Sequence, residues 1–243
     1  MSALTTAFQE RKAEVEAYLE FLSDMEEQTK KGPPRFEGAQ RPITVEQQRI
    51  LYSTVYLQLY NLVEATISLC IHEVTEATRS NAQWTPSDLN DDLRREWVRA
   101  VARTHEALSP DNRLNHALQL CNHLASALPV DRFDMDKGGG GNWDDSAIER
   151  MTKRLGFELH VAKKIYAAIK KPIRDDMGSL ALVKNLRNRL AHGSISFVEC
   201  SENETFSGIK SLANNTLRYL EAVVGCFEKY LEGYEYLLPE RRP

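Results

Sequence analysis

Cysteine is scarce in this chain of 243 residues: Cys70, Cys121, Cys200 and Cys226 are scattered, and no two form a Cys-x-x-Cys pair. Three of the four fall within apolar helical patterns, so they read as reduced thiols, which argues against a disulfide framework or a zinc site. Long apolar runs are also missing. No uninterrupted stretch approaches the ~18 residues that a membrane span needs, which argues against a membrane protein. The opening residues, Met1 to Glu20, lack a basic start and an apolar centre and alternate apolar with acidic positions. No export signal is read there, and a cytoplasmic protein is expected. The chain has no Walker loop, no Gly-x-Gly-x-x-Gly after a strand, no Gly-x-Ser-x-Gly elbow and no His-Glu-x-x-His, which sets aside the commonest nucleotide, esterase and metalloprotease chemistries. The run Gly138 to Gly141 is followed by no Lys-Ser/Thr and reads as a flexible loop. His72 and Glu76 share a helical face but have no third ligand nearby in sequence, so they read as a surface pair and no metal is expected. His105, His116, His123 and His160 read as structural or surface groups.

What is present is a segregation of charge. The chain as a whole carries a net charge of −4, which taken alone argues against a nucleic-acid partner. From Arg150 to Gly193, however, eleven basic residues face three acidic ones, leaving +8 on that stretch and −12 on the remainder. A local basic region on an acidic chain can concentrate a polyanion at one face, although a solvated helix face has the same composition.

Periodicity is helical throughout. Leu4, Phe8, Val15, Leu19, Leu22 and Met25 predict a helix over 3–30, ended by Gly32, Pro33 and Pro34. A polar loop at about 31–43 precedes a long central helix from Thr44 as cap to Arg79, marked by Leu51, Val55, Leu59, Leu62, Val63 and Cys70. A third helix is predicted from Pro86 to about Ala107, a fourth from Asp111 to Leu128, and a second loop at about 129–142. A short helix at 144–155 stops at Gly156. The basic stretch beyond it is less periodic until Leu180 opens a helix that runs to His192, ended by Gly193. A last long helix carries Ile209, Leu212, Leu220, Val223, Phe227, Tyr230 and Leu237. The alternating run Ser194 to Val198 is too short to argue for a sheet. The expected fold is an all-α bundle with long central helices and a long C-terminal helix, read as one domain over 1–243.

One segment carries candidate chemistry: Leu186-Arg187-Asn188-Arg189-Leu190-Ala191-His192-Gly193. It resembles the Arg-x4-6-His signature of the HEPN superfamily. Spacing alone is weak, because Arg99 to His105 and Arg154 to His160 satisfy it too. The context of Arg187 sets it apart, since the superfamily places its arginine on a late helix, prefers a polar neighbour such as Asn188 and ends that helix near the histidine. The similarity extends to a bacterial MAE-type branch of small HEPN proteins linked with conflict and restriction systems. It rests on a Leu-rich start like Tyr18 to Leu22, a motif like Tyr60-Asn61-Leu62-Val63-Glu64-Ala65, and a Gly141-Asn142 segment ahead of a short helix.

That resemblance implies a HEPN-like helical bundle in which two protomers bring their arginines and histidines into one cleft and cut RNA without metal or other cofactor. A guanidinium suits the charge developing on a phosphorane, and an imidazole can move the proton. Five helical steps leave Arg187 and His192 about 140° apart, whereas Asn188 and His192 share a face. The expectation is that Asn188 orients the imidazole while Arg187 points toward a neighbour or across a subunit boundary, with catalysis by Arg187, His192 and Asn188. Arg189 and Lys184, with Lys163 and Lys164, would hold the RNA backbone, and Glu64 would be either a buried partner fixing Arg187 or a carboxylate of the site; apart from the resemblance it reads as an ordinary exposed glutamate. The partners implied are RNA, a second copy, and a cognate antitoxin or defence-system protein, with no membrane. The alternative is a catalytically inactive HEPN module serving as an RNA- or protein-binding adaptor. Apart from the resemblance, Arg187 reads as a salt-bridge residue and His192 as a helix-end group of an unrelated helical interaction protein.

Overall fold

Helix boundaries follow local chemistry. In the computed structural model, which describes residues 2–104, 106–131, 133–135 and 142–243, the Ser2 hydroxyl accepts from the Thr5 N–H at 3.0 Å and starts α1, Ala3–Thr29. Helix α2, Val45–Ala77, begins at a reciprocal cap: Thr44 N–H donates to Gln47 Oε1 (2.9 Å) and Gln47 N–H to Thr44 Oγ1 (3.2 Å). Then come α3 (Asp91–Val101), α4 (Pro110–Ala125), α5 (Asp145–Leu155), α6 (Lys163–Lys170), α7 (Ser179–Ala191), α8 (Phe197–Cys200) and α9 (Phe206–Glu232). Among the described residues there is no strand, only the isolated bridges Leu89 to Leu237 and Arg174 to Met177. The fold is all-α.

The chain divides into two compact units. The first comprises residues 1–66, 143–145 and 161–223, and the second residues 67–142, 146–160 and 224–243. In the first, the apolar stripe of α1 is buried as its spacing predicts, and Tyr18 and Tyr52 fix α1 to α2. Tyr18 donates to the Leu51 carbonyl at 2.9 Å, and Tyr52 to Glu26 at 2.7 Å. The Ser53 hydroxyl donates to the Phe197 carbonyl (2.5 Å) and Ser201 to that of Arg49 (2.8 Å), tying α8 to α2. Gly178, ahead of α7, lies so close to α6 that a Cβ there would stand 2.3 Å from the Ile169 carbonyl oxygen.

In the second unit, Asn90 is a hub. Its side chain caps α3 through Leu93 N–H (2.8 Å) and donates to the carbonyls of Leu155 (3.0 Å) and Glu235 (2.9 Å). The Tyr230 hydroxyl donates to the same Leu155 carbonyl at 2.5 Å.

Four expectations need correction. The third helix does not run from Pro86 to Ala107: a 3-10 turn at Pro86–Asp88 precedes α3, which stops at Val101, and Arg103 takes a left-handed φ of 50°. The basic stretch holds an unforeseen helix, α6. The last helix, read through to Leu237, ends at Glu232, and Tyr234 beyond it takes a left-handed φ of 51°; the run Ser194 to Val198, too short for a sheet, leads into α8, whose start is a capping box between Ser196 and Glu199. The loop at 129–142 is anchored in part, because Val130, Phe133 and Met135 are buried and Val130 N–H donates to the Trp84 carbonyl (2.7 Å). Gly138 to Gly141 and His105, each given a reading above, lie outside the described residues. By length and composition α2 is able to cross a membrane, which a search for uninterrupted apolar runs overlooks; 56% of its most apolar window is buried inside the protein.

Candidate active site on helix α7

Helix α7 presents Leu180, Val183, Leu186 and Leu190 to the core, at the three- and four-residue steps of one face. Its end is a Schellman turn. Gly193, at φ 68°, donates to the Leu190 carbonyl (3.1 Å) and Ser194 N–H to that of Arg189 (2.8 Å). His192 is therefore the C-cap residue, exposed, on a backbone fixed on both sides; its N–H donates to the Asn188 carbonyl at 3.0 Å.

Arg187 leaves the same helix toward α2. One guanidinium nitrogen donates to Glu64 Oε2 at 3.0 Å, the other terminal nitrogen donates to the Asn188 side-chain oxygen at 2.7 Å, and the group lies 3.8 Å above the Tyr60 ring centroid. Tyr60 and Glu64 are four apart on α2, so one helical face supplies both the stacking surface and the counter-charge. Two of the five N–H donors of the guanidinium are engaged by Asn188 and Glu64. The Tyr60 hydroxyl accepts from the Trp143 N–H at 3.2 Å. Its phenol is pushed above the usual range chiefly by burial, with Glu64 and Asp144 adding to this, while the Trp143 N–H and Arg187 oppose it. Lys184, one turn before Arg187, donates to Asp144.

A HEPN_MAE_28990-like HEPN family model matches residues 1–236. The chain belongs to that family. No curated protein and no solved structure matches it. HEPN membership is compatible with nuclease activity, and it makes the late-helix arginine and helix-end histidine the first place to look for chemistry.

The structure gives the HEPN residues more definite places than the spacing did. Arg187, Glu64 and Asn188 come together, and Glu64 stands as a partner of Arg187 that is not buried, its side chain being 42% exposed. Asn188 differs from expectation: its side-chain oxygen serves Arg187, and its backbone carbonyl serves His192. Arg187 points to a neighbouring helix, α2. Arg189, two positions on, is exposed, and it adds a small pull on Glu199, whose carboxyl is held below the usual range mainly by the Ser196 N–H and hydroxyl. Lys163 and Lys164 occupy the first turn of α6, exposed. Tyr60, Trp143 and Asp144 were not named as site residues. Tyr60 was within reach, because it heads the Tyr-Asn-Leu-Val-Glu motif at i, i+4 from Glu64.

Five of the eleven basic residues of the segment are answered by acids from elsewhere in the chain. Lys170 pairs with Asp145, Arg174 with Glu204 (3.3 Å), Lys184 with Asp144 and Arg187 with Glu64 in the first unit, and Arg154 with Glu96 (2.6 Å) in the second. The segment itself is split between the units at Val161. Among the described residues no group of three His, Cys, Asp or Glu is arranged to hold a metal, and Glu76 accepts from Arg79 at 2.7 and 2.8 Å.

Proposed function

We propose that this HEPN protein is a metal-independent endoribonuclease of a bacterial defence or toxin-type system. The observation that carries the reading is the Arg187 guanidinium, clamped by Tyr60, Glu64 and Asn188 on the helix that ends at the exposed His192. A cation whose position is fixed before substrate arrives stabilises charge developing on a phosphorane without reorganising. The RNA 2′ oxygen attacks the adjacent phosphorus and the bond to the 5′ oxygen breaks. One group takes the 2′ proton and another delivers a proton to the departing 5′ oxygen, with His192 in one of these roles. The products are a 2′,3′-cyclic phosphate and a 5′-hydroxyl, and DNA is spared for want of the nucleophile.

Because Arg187 and His192 diverge on α7, the complete site takes Arg187 from one copy and His192 from a second, with α7 in the homodimer interface. The wider partners are RNA and a cognate antitoxin or defence-system protein, in the cytoplasm and away from membranes. Arg189 and Lys184, with Lys163 and Lys164, remain the candidate backbone contacts.

Digestion of total RNA by the purified protein in EDTA tests the reading, with end-group analysis of the fragments and light scattering on the same sample. Cyclic-phosphate ends from a dimer are expected. Loss of cleavage in EDTA, or 3′-hydroxyl ends, would overturn it. The same ion pair favours a second reading: Glu64 already neutralises Arg187, as suits a HEPN module that binds RNA or protein without cutting, and that reading predicts intact RNA at every protein concentration.

A further inference from the structure

Beside the Arg187 site, α1 and α2 leave between them an open groove of about 540 Å³. Its α2 wall carries Gln58, Asn61 and Leu62, and its α1 wall Arg11, Tyr18 and Phe21, with the carboxylate of Glu14 one turn from Arg11. Each three-residue step on a helix advances about 4.5 Å and turns back about 60°, so Glu64, Asn61 and Gln58 form one diagonal polar stripe across α2, from the carboxylate that holds Arg187 into the groove. Asn61 is exposed on that path.

The aromatics of the groove differ in their duties. Tyr18 is committed to the fold through the Leu51 carbonyl, whereas the Phe21 ring, 6.1 Å from that of Tyr18, is 38% exposed. A solvent-facing ring that shares a groove with primary amides, with an arginine about 15 Å further along the α1 wall, is a set of groups that can hold an unstacked base. The ring stacks on its face, the amides pair donors and acceptors along its edge, and the guanidinium meets the backbone.

We infer that the α1–α2 groove is a nucleobase subsite for single-stranded RNA, which seats a base of the strand whose phosphate lies at Arg187. The inference rests on the ribonuclease reading and supplies it with a means of selecting single strands. Phe21 stacks on the base, and Asn61 with Gln58 meets its edge.

Binding is measured with the His192→Ala chain, which leaves RNA uncut, by fluorescence anisotropy on short oligomers of each ribonucleotide and on the matching abasic ribose-phosphate oligomer. The intact strands bind more tightly than the abasic one, and adding Phe21→Ala or Asn61→Ala removes about tenfold of that advantage. Phe21→Leu, which keeps apolar bulk and loses the ring, behaves like Phe21→Ala and covers the case in which the alanine chain folds poorly. In the cleaving protein the same changes raise KM by a similar factor and leave kcat in place. If RNA is cut equally by all groove variants, the subsite falls and the ribonuclease reading stands. If RNA is never cut but base-dependent binding is lost in the variants, the subsite stands and the ribonuclease reading falls. Equal binding of intact and abasic strands overturns the subsite in either case.

Discussion

Two arginines with nearly the same spacing to a following histidine meet a glutamate, one in each unit, and the outcomes differ. The Arg154 and Arg187 side chains are equally exposed, 27% each, but their carboxylates are not: Glu96 is 4% exposed and Glu64 42%. Glu96 accepts a two-pronged contact from Arg154 (3.0 and 2.6 Å) and a further bond from Arg99 at 2.5 Å. Two cations spend their donors on one buried acid, as a structural brace requires. Among the described residues Glu64 takes a single bond, from Arg187, stays half in water and leaves donors of the guanidinium uncommitted. The wetness of the acid, more than the arginine or its spacing, separates a brace from a candidate reaction site.

Breaking the comparison at its wet end should produce the largest effect. Arg187→Ala and His192→Ala are each expected to lower RNA cleavage ~10²- to 10⁴-fold, with the unfolding midpoint moved by no more than about 1 kcal/mol equivalent. Arg187→Lys should rescue little, because an ammonium lacks the planar fork that spans Asn188, Glu64 and a phosphate. Activity surviving in the alanine variants, measured in EDTA, would refute the assignment.

At the dry end the effect moves from activity to stability. Arg154→Ala leaves Glu96 buried with Arg99 alone and should cost about 3 kcal/mol in urea unfolding, while cleavage per folded molecule stays at the parent level. A stability loss below about 0.5 kcal/mol would place Arg154 among ordinary surface residues. A finer cut is Tyr60→Phe, which keeps the ring under Arg187 but removes the acceptor for the Trp143 N–H. It should cost about 1 kcal/mol with cleavage almost unchanged.

The smallest effect is confined to alkali. Burial raises the phenol of Tyr60 in the first unit, and in the second it raises Tyr230 and pushes Tyr236 up to about 12. These groups are held neutral in the fold, so their contribution is complete below the ordinary tyrosine value of about 10 and is lost as pH rises through the folded values. Phenolate absorbance should therefore lag behind that of model tyrosine and rise together with unfolding; simple titration of all nine tyrosines near pH 10 would contradict the burial.

How much of this was legible in the sequence varied with the range of the interaction. The long helices α1, α2 and α9, the Thr44 cap and the Gly193 stop were all readable, because they depend on periodicity and on cap chemistry within a few residues. Short elements were harder: α6 has eight residues, a single buried position at Ile169 and no capping side chain at Ala162, so no period could establish itself. The Ser196 to Glu199 box was present as Ser-Phe-Val-Glu but was masked by the β-branched and aromatic residues around it. At the site, Arg187, Asn188 and Glu64 came from a motif. The pairings of Lys184 with Asp144 and of Tyr60 with Trp143 join residues 40 and 83 positions apart, and no local pattern encodes such partners. For the same reason the basic segment looked more available than it is.

Gly178 has the least chemistry of any residue discussed and a large mechanical reach. Helix α7 is a stiff rod, and nine residues at 1.5 Å per step put Arg187 about 13 Å from that glycine. A methyl group at 178 would have to push the Ile169 carbonyl away from a 2.3 Å approach, and the rod would carry the shift to its far end almost undiminished. Stacking at 3.8 Å and a 3.0 Å hydrogen bond tolerate only tenths of an ångström. The glycine acts as a gauge block: it sets where along α7's axis the guanidinium stands over Tyr60, so a substitution there is expected to put the arginine out of register.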